Sequence, residues 1–195
     1  MIQHIVVFCG ASEGYIPVYI ETAYQMGAAI ANRQCSMIYG GAKLGLMGAV
    51  ADGALQHGGK VTGIIPQFLQ DKEIIHEAIS ETIVVETMHE RKLKMYERCD
   101  GIIALPGGWG TLDELFEMMT WAQLGLHQKP IGILNCNGFY EPFMAMLNNM
   151  LLEGFVKEAY MKMLIVSDDI EDLLEKMMTY QPVELLPPTM NTQQL

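Results

Sequence analysis

Seven short apolar runs, each broken off by glycine, proline or a polar residue, recur along this chain: IVVFCG, SMIYGG, KVTGIIP, TIVVET, GIIALPGG, PIGILN and KMLIVS. Runs of this length, rich in Ile and Val, read as strands buried on both faces. Between them apolar residues recur at helical spacing over roughly 18–32, 46–57, 89–99, 112–125, 140–153 and 168–180. Strand and helix therefore alternate. Right-handed crossovers turn that order into a doubly wound, Rossmann-like α/β fold, a mostly parallel sheet of about seven strands with helices on both faces.

Such a sheet takes its ligands in the crevice beyond the carboxyl ends of its strands. Three strand ends open into conspicuous loops there: CGASEG, YGGAKLGLMG and LPGGWGT. A chain of 195 residues, half of them hydrophobic, fills one substantial core, and no Ser/Gly-rich or charge-blocked linker interrupts it. The expectation is one domain over 1–180, followed by a loosely held tail over 181–195.

Charge narrows the partners. Twelve basic against 23 acidic side chains give a net charge of −11, a surface that repels nucleic-acid backbones and anionic membranes. A small anion remains possible, held by a few local cations and backbone N–H groups. Cys9, Cys35, Cys99 and Cys136 lie far apart, each in or beside an apolar segment, without metal-type spacing. With no apolar run of about 18 residues and no signal-like start, the chain reads as cytoplasmic with reduced, buried thiols.

The loop in ALPGGWGTLDELFE carries the strongest functional signal. A glycine cluster between a strand and a helix lets backbone N–H groups approach a ligand closely, and the helix start adds partial positive charge. Gly107, Gly108, Gly110 and Thr111 thus form a candidate phosphate cradle. Neither standard nucleotide fingerprint fits. Asp113 stands where G-x-G-x-x-G needs its last glycine, and GGAKLGLM lacks the G-K-[ST] of a P-loop. Thr111-Leu112-Asp113-Glu114 also matches a T-x-x-E capping box, a purely structural use of Glu114. Two carboxylates beside an anion site are electrostatically awkward unless they face a group that becomes positive during reaction.

In TMHERKLKMYERCD, the residues Arg91, Lys94 and Arg98 are spaced by three and four, so they share one helix face. Glu90 and Glu97 allow a solvated, ion-paired reading of that face. Two of the chain's three arginines nevertheless sit here.

Taken together, these segments resemble the LONELY GUY family of nucleoside 5′-monophosphate phosphoribohydrolases. The resemblance runs from about Ile5 to Ser167 and centres on P-G-G-x-G-T-x-x-E, here Pro106 to Glu114. FCG with Ser12 nearby, YGGAKLGLMG, GIIP, MHERKLKM and WAQLGLHQKPIG leading into NCNGFY are similar too. Ala11 replaces a serine and Ala42 a glycine of the family pattern, and Trp109 is larger than some occupants of its position.

The resemblance implies cleavage of the N-glycosidic bond of AMP or a cytokinin riboside monophosphate, in a homodimer or higher oligomer and without a cofactor. It makes Arg91 and Glu114 catalytic, and Gly107, Gly108, Gly110 and Thr111 ligands of the phosphate. Lys92, Gly40, Gly41, Ser12, Met88, Asp113 and Glu117 fall at further substrate-binding positions. Ionised Glu114 is expected to stabilise the sugar cation or orient water, Asp113 or Glu117 to hold ribose hydroxyls, and Arg91 to assist the base or grip the phosphate. Lys92 lies about 100° round the helix from Arg91, so it is expected to support a loop, the phosphate or a neighbouring subunit rather than duplicate Arg91. The rival reading is a non-catalytic nucleotide-binding or carrier protein of the same fold.

Overall fold

The computed structural model describes residues 2–70 and 75–183, with Gln70 described by its backbone alone. The expected tail lies outside the described residues except for 181–183.

All seven expected strands form: β1 (His4–Phe8), β2 (Ser36–Tyr39), β3 (Val61–Pro66), β4 (Glu81–Val85), β5 (Gly101–Ala104), β6 (Ile131–Leu134) and β7 (Leu164–Ser167). They make one sheet in the order β4-β3-β2-β1-β5-β6-β7, and every neighbouring pair is parallel. Around it lie α1 (Val18–Asn32), α2 (Gly45–Gln56), α3 (Gln67–Gln70), α4 (Met88–Arg98), α5 (Trp109–Gln123), α6 (Glu141–Leu152), α7 (Glu158–Met161) and α8 (Ile170–Met178). The single-turn α3 and α7 and a short 3-10 turn at Cys136–Gly138 are too brief to carry a periodic apolar signal.

Successive residues of a strand point to opposite faces, and β1 divides accordingly. Ile5, Val7 and Cys9 join the core beneath α1, α2 and α8, whereas Val6 and Phe8 join the core beneath α4, α5 and α6. Double burial holds for the central strands but not for β4, where Glu81, Thr82 and Val84 are exposed. With a single neighbour in the sheet, β4 has one free edge and half the cover.

The chain runs outward from β1 through β2 and β3 to β4, then returns to place β5 on the other side of β1. The order reverses between β1 and β5, so the loops leaving these two strands diverge and open a crevice at their carboxyl ends.

Candidate active site

The two loops at this switch point are laced together. Leu105 N–H donates to the Phe8 carbonyl at 2.9 Å, Gly10 N–H to the Pro106 carbonyl at 3.0 Å, and Met47 N–H, from the first turn of α2, to the Gly10 carbonyl at 3.2 Å. Pro106 has no N–H to continue the ladder. Immediately after it, a Cβ on Gly107 would stand 2.1 Å from Thr111 Oγ1 and 2.8 Å from Gly10 N, so only glycine fits. Gly108 and Gly110 differ: a Cβ at either would meet nothing within 4 Å. Their own chain does not require glycine, yet both line the crevice.

The helix α5 starts at Trp109 with Gly108 as its N-cap, three residues before the sequence pattern places it, and no side chain caps it. This overturns the capping-box reading of Thr111 and Glu114. Thr111 lies inside the first turn, whose N–H groups have no intrahelical acceptor. Glu114 stands one turn further on, buried, at the crevice wall. The capping arrangement occurs instead on α4, where Thr87 accepts from Glu90 N at 3.1 Å and Glu90 Oε2 accepts from Glu86 N at 2.8 Å.

That cap sets the start of α4 so that Arg91 turns inward. The basic face therefore splits: Lys94 pairs with Glu97 at 3.6 Å and Arg98 with Glu81 at 2.9 Å at the surface, whereas Arg91 and Lys92 are buried. Arg91 Nη2 donates to the Gly40 carbonyl at 3.3 Å, Nη1 contacts Met88 Sδ at 3.9 Å, and buried Nε has no partner among the described residues. Gly40 admits this approach because a Cβ there would stand 2.3 Å from Arg91 Nη2.

The crevice is a cavity of about 560 Å³. Its wall brings together Arg91 and Glu114 with Gly107, Gly108, Gly110 and Thr111, and also Ser12, Gly40, Met88 and Asp113. Gly41, Lys92 and Glu117 stand outside the wall. Gly41 holds a positive-φ turn (φ 87°) behind Gly40 and accepts a hydrogen bond from His76 N. Lys92 Nζ lies 3.1 Å from Asp113 Oδ2 and 3.2 Å from Glu117 Oε2, the second contact at ion-pair distance without hydrogen-bond alignment. The sequence reading missed an aromatic wall formed by Tyr19 and Phe139, whose ring centroids are 5.9 Å apart at 79°. Phe139 belongs to the NCNGFY segment, and Tyr19 opens the helix after the first crevice loop. Both follow strands whose carboxyl ends face the site, which is the signal that could have found them.

Burial pushes the Glu114 carboxyl up to about 7. Arg91 and Lys92 oppose that rise, and Asp113 and Glu117 add to it. Burial, with a smaller contribution from Glu114, pushes the Cys9 thiol up, so Cys9 stays a neutral thiol at the crevice wall. The site thus pairs an uncapped, glycine-lined helix start, suited to an anion, with a buried carboxyl that changes charge near neutrality beside a fixed guanidinium. Among the described residues no group of His, Cys, Asp and Glu is placed to hold a metal ion.

Residues 47–177 match a family described as "Possible lysine decarboxylase". The chain is similar to cytokinin riboside 5′-monophosphate phosphoribohydrolase LOG7 of Arabidopsis thaliana, 41% identical over 181 residues, 92% of this chain and 83% of that protein. It is also similar to cytokinin riboside 5′-monophosphate phosphoribohydrolase LOG of Oryza sativa subsp. japonica, 40% identical over 180 residues, 92% of this chain and 74% of that one. Among solved structures, the molybdenum cofactor binding protein of Rippkaea orientalis aligns with a TM-score of 0.67 at 24% identity, covering 89% of this chain and 93% of its own. At that identity the likeness shows the fold alone.

Proposed function

Because the chain belongs to the LONELY GUY family of phosphoribohydrolases, we propose that its crevice hydrolyses the N-glycosidic bond of a purine nucleoside 5′-monophosphate, AMP or a cytokinin riboside monophosphate. The products are the free base and ribose 5-phosphate. The observation that carries this reading is the buried Glu114 carboxyl at the crevice wall, close to Arg91 and next to the glycine-lined start of α5.

The phosphate would sit at the start of α5, held by the free N–H groups of its first turn and the Thr111 hydroxyl, where Gly108 and Gly110 leave room for close approach. This anchors a part of the substrate that does not react and brings the ribose to Glu114. As the bond from C1′ to the base nitrogen breaks, its electron pair leaves with the base and positive charge grows on the sugar. Ionised Glu114 faces that charge and accepts the proton of the water whose oxygen bonds to C1′. Arg91 stabilises negative charge on the departing base, which takes up a proton from solvent as Glu114 returns its own to solvent, and Asp113, at the crevice wall, orients ribose hydroxyls. A raised carboxyl pKa suits a group that must accept a proton near neutral pH.

Two other readings fit less well. A pyridoxal-dependent decarboxylase needs a lysine in the site to hold its cofactor, and no lysine lines the crevice among the described residues. A carrier of an anionic nucleotide needs the cradle, but a buried carboxylate beside it would weaken its affinity. The reading is tested by comparing AMP with adenosine at subsaturating concentration. Anchoring through phosphate predicts kcat/KM at least about a hundredfold higher for AMP, and equal values would refute it. The family resemblance adds the expectation of a cytoplasmic enzyme acting as a homodimer or larger assembly.

A further inference from the structure

Lys92 differs from the other cations of α4. Its side chain is 10% exposed, and its ammonium lies between Asp113 and Glu117 at 3.1 and 3.2 Å. Among the described residues these are the only ion pairs that join α4 to α5. The two carboxylates flank Glu114 in sequence and lie one turn apart on its helix. Lys92 stands outside the crevice wall, so a ligand phosphate would have to compete for it with two carboxylates already in place.

Resting on the hydrolase reading above, we propose that Lys92 is a positioning residue: from α4 it clasps Asp113 and Glu117, holds Glu114 close to Arg91 and screens Glu114 from its two acidic neighbours. The charges around Glu114 make the consequence specific. From α4 it faces Arg91 and Lys92, and from its own helix Asp113 and Glu117. The neutral Cys9 thiol stands at the end of β1, and Glu13 in the loop beyond lines the same crevice. Removing the Lys92 ammonium takes away one cation and leaves two carboxylates unscreened, and all three changes disfavour ionised Glu114. A phosphate ligand would act otherwise, since its loss weakens substrate binding without disturbing the Glu114 proton.

The test compares wild type, Lys92→Met, Lys92→Arg and Lys92→Met/Glu117→Gln. For each, the Glu114 midpoint is followed by carboxyl 13C NMR, with the signal identified by its loss in Glu114→Gln, and kcat/KM for AMP is measured over about pH 5.5 to 9. Lys92→Met should raise the Glu114 midpoint by about one unit. The acid limb of kcat/KM should move with it, lowering the value about fivefold at pH 7 and about tenfold well below it. Lys92→Arg should stay near wild type, and Glu117→Gln should return part of the shift in the Lys92→Met background. That double variant also removes the half-buried carboxylate left unpaired, so it keeps the comparison available if Lys92→Met alone does not fold. A raised KM for AMP with an unmoved midpoint overturns the proposal and makes Lys92 a phosphate ligand. If wild type turns over no monophosphate, the hydrolase reading fails by itself, and the midpoint still decides the role of Lys92.

Discussion

Replacing Glu114 by glutamine should make the protein more stable while removing its activity, and the gain should depend on pH in a way set by the site. The folded protein holds the Glu114 proton up to about pH 7, against an ordinary value of 4.5. For an acid whose pKa is raised on folding, the unfolded chain releases its proton first. Wild-type stability therefore falls as pH rises from about 4.5 to 7, and the loss is complete above 7. At 1.36 kcal/mol per unit, the full cost is about 3 kcal/mol at pH 8 and about 1 kcal/mol at pH 5. Glutamine keeps the shape and cannot ionise, so Glu114→Gln escapes that cost. The advantage corresponds to a Tm increase of roughly 6–12 °C at pH 8 for a chain of this size, and much less at pH 5. Thermal unfolding of both proteins across this range checks it, because groups common to both largely cancel in the difference. An advantage that stays constant with pH, or a variant less stable at pH 8, would refute the assignment of a strained, buried carboxyl at this position.

The wild-type acid limb of kcat/KM should fall near pH 7, with activity rising as Glu114 ionises, and a pH–rate profile on AMP reads it directly. Gly107→Ala and Gly108→Ala should separate fold from ligand. The first forces a Cβ to within 2.1 Å of Thr111 Oγ1 and should cost about 1–3 kcal/mol of stability. The second meets nothing within 4 Å, so it should change stability by less than about 1 kcal/mol yet raise KM for AMP at least about tenfold, measurable by calorimetry and kinetics. Thr87→Ala removes the α4 cap, accepted from Glu90 N at 3.1 Å, and should cost about 1 kcal/mol in denaturant unfolding.

Most of the architecture was legible because the strands are short, apolar and separated by turn residues. The bounds of α1 (Val18–Asn32) match the periodic run closely. The exposed face of β4 was not legible, since apolar content alone does not say which strand ends at a sheet edge. The start of α5 was misread for a physical reason. Thr111-Leu112-Asp113-Glu114 has the composition of a capping box, but the helix begins at Trp109, and an uncapped start becomes tolerable where N–H groups face an anion site. Arg91 and Glu114 were found through the family motif, and the crevice at the β1 and β5 switch point contains both. The clasp of Lys92 on Asp113 and Glu117 was out of reach because spacing along one helix cannot say which side chains of another it meets. Tyr19 and Phe139 come from distant segments, and only the packing of α1 against the 3-10 turn after β6 unites them.

The central claim is that Glu114 performs chemistry on a 5′-monophosphate whose phosphate lies at the start of α5. The most direct measurement is to incubate wild type and folded Glu114→Gln with AMP and quantify adenine and ribose 5-phosphate by chromatography. Wild type should yield both products in equal amounts, and the variant, which still binds AMP, should lose at least about a thousandfold in rate. Products from the variant at the wild-type rate, or AMP bound by wild type and released unchanged, would contradict it.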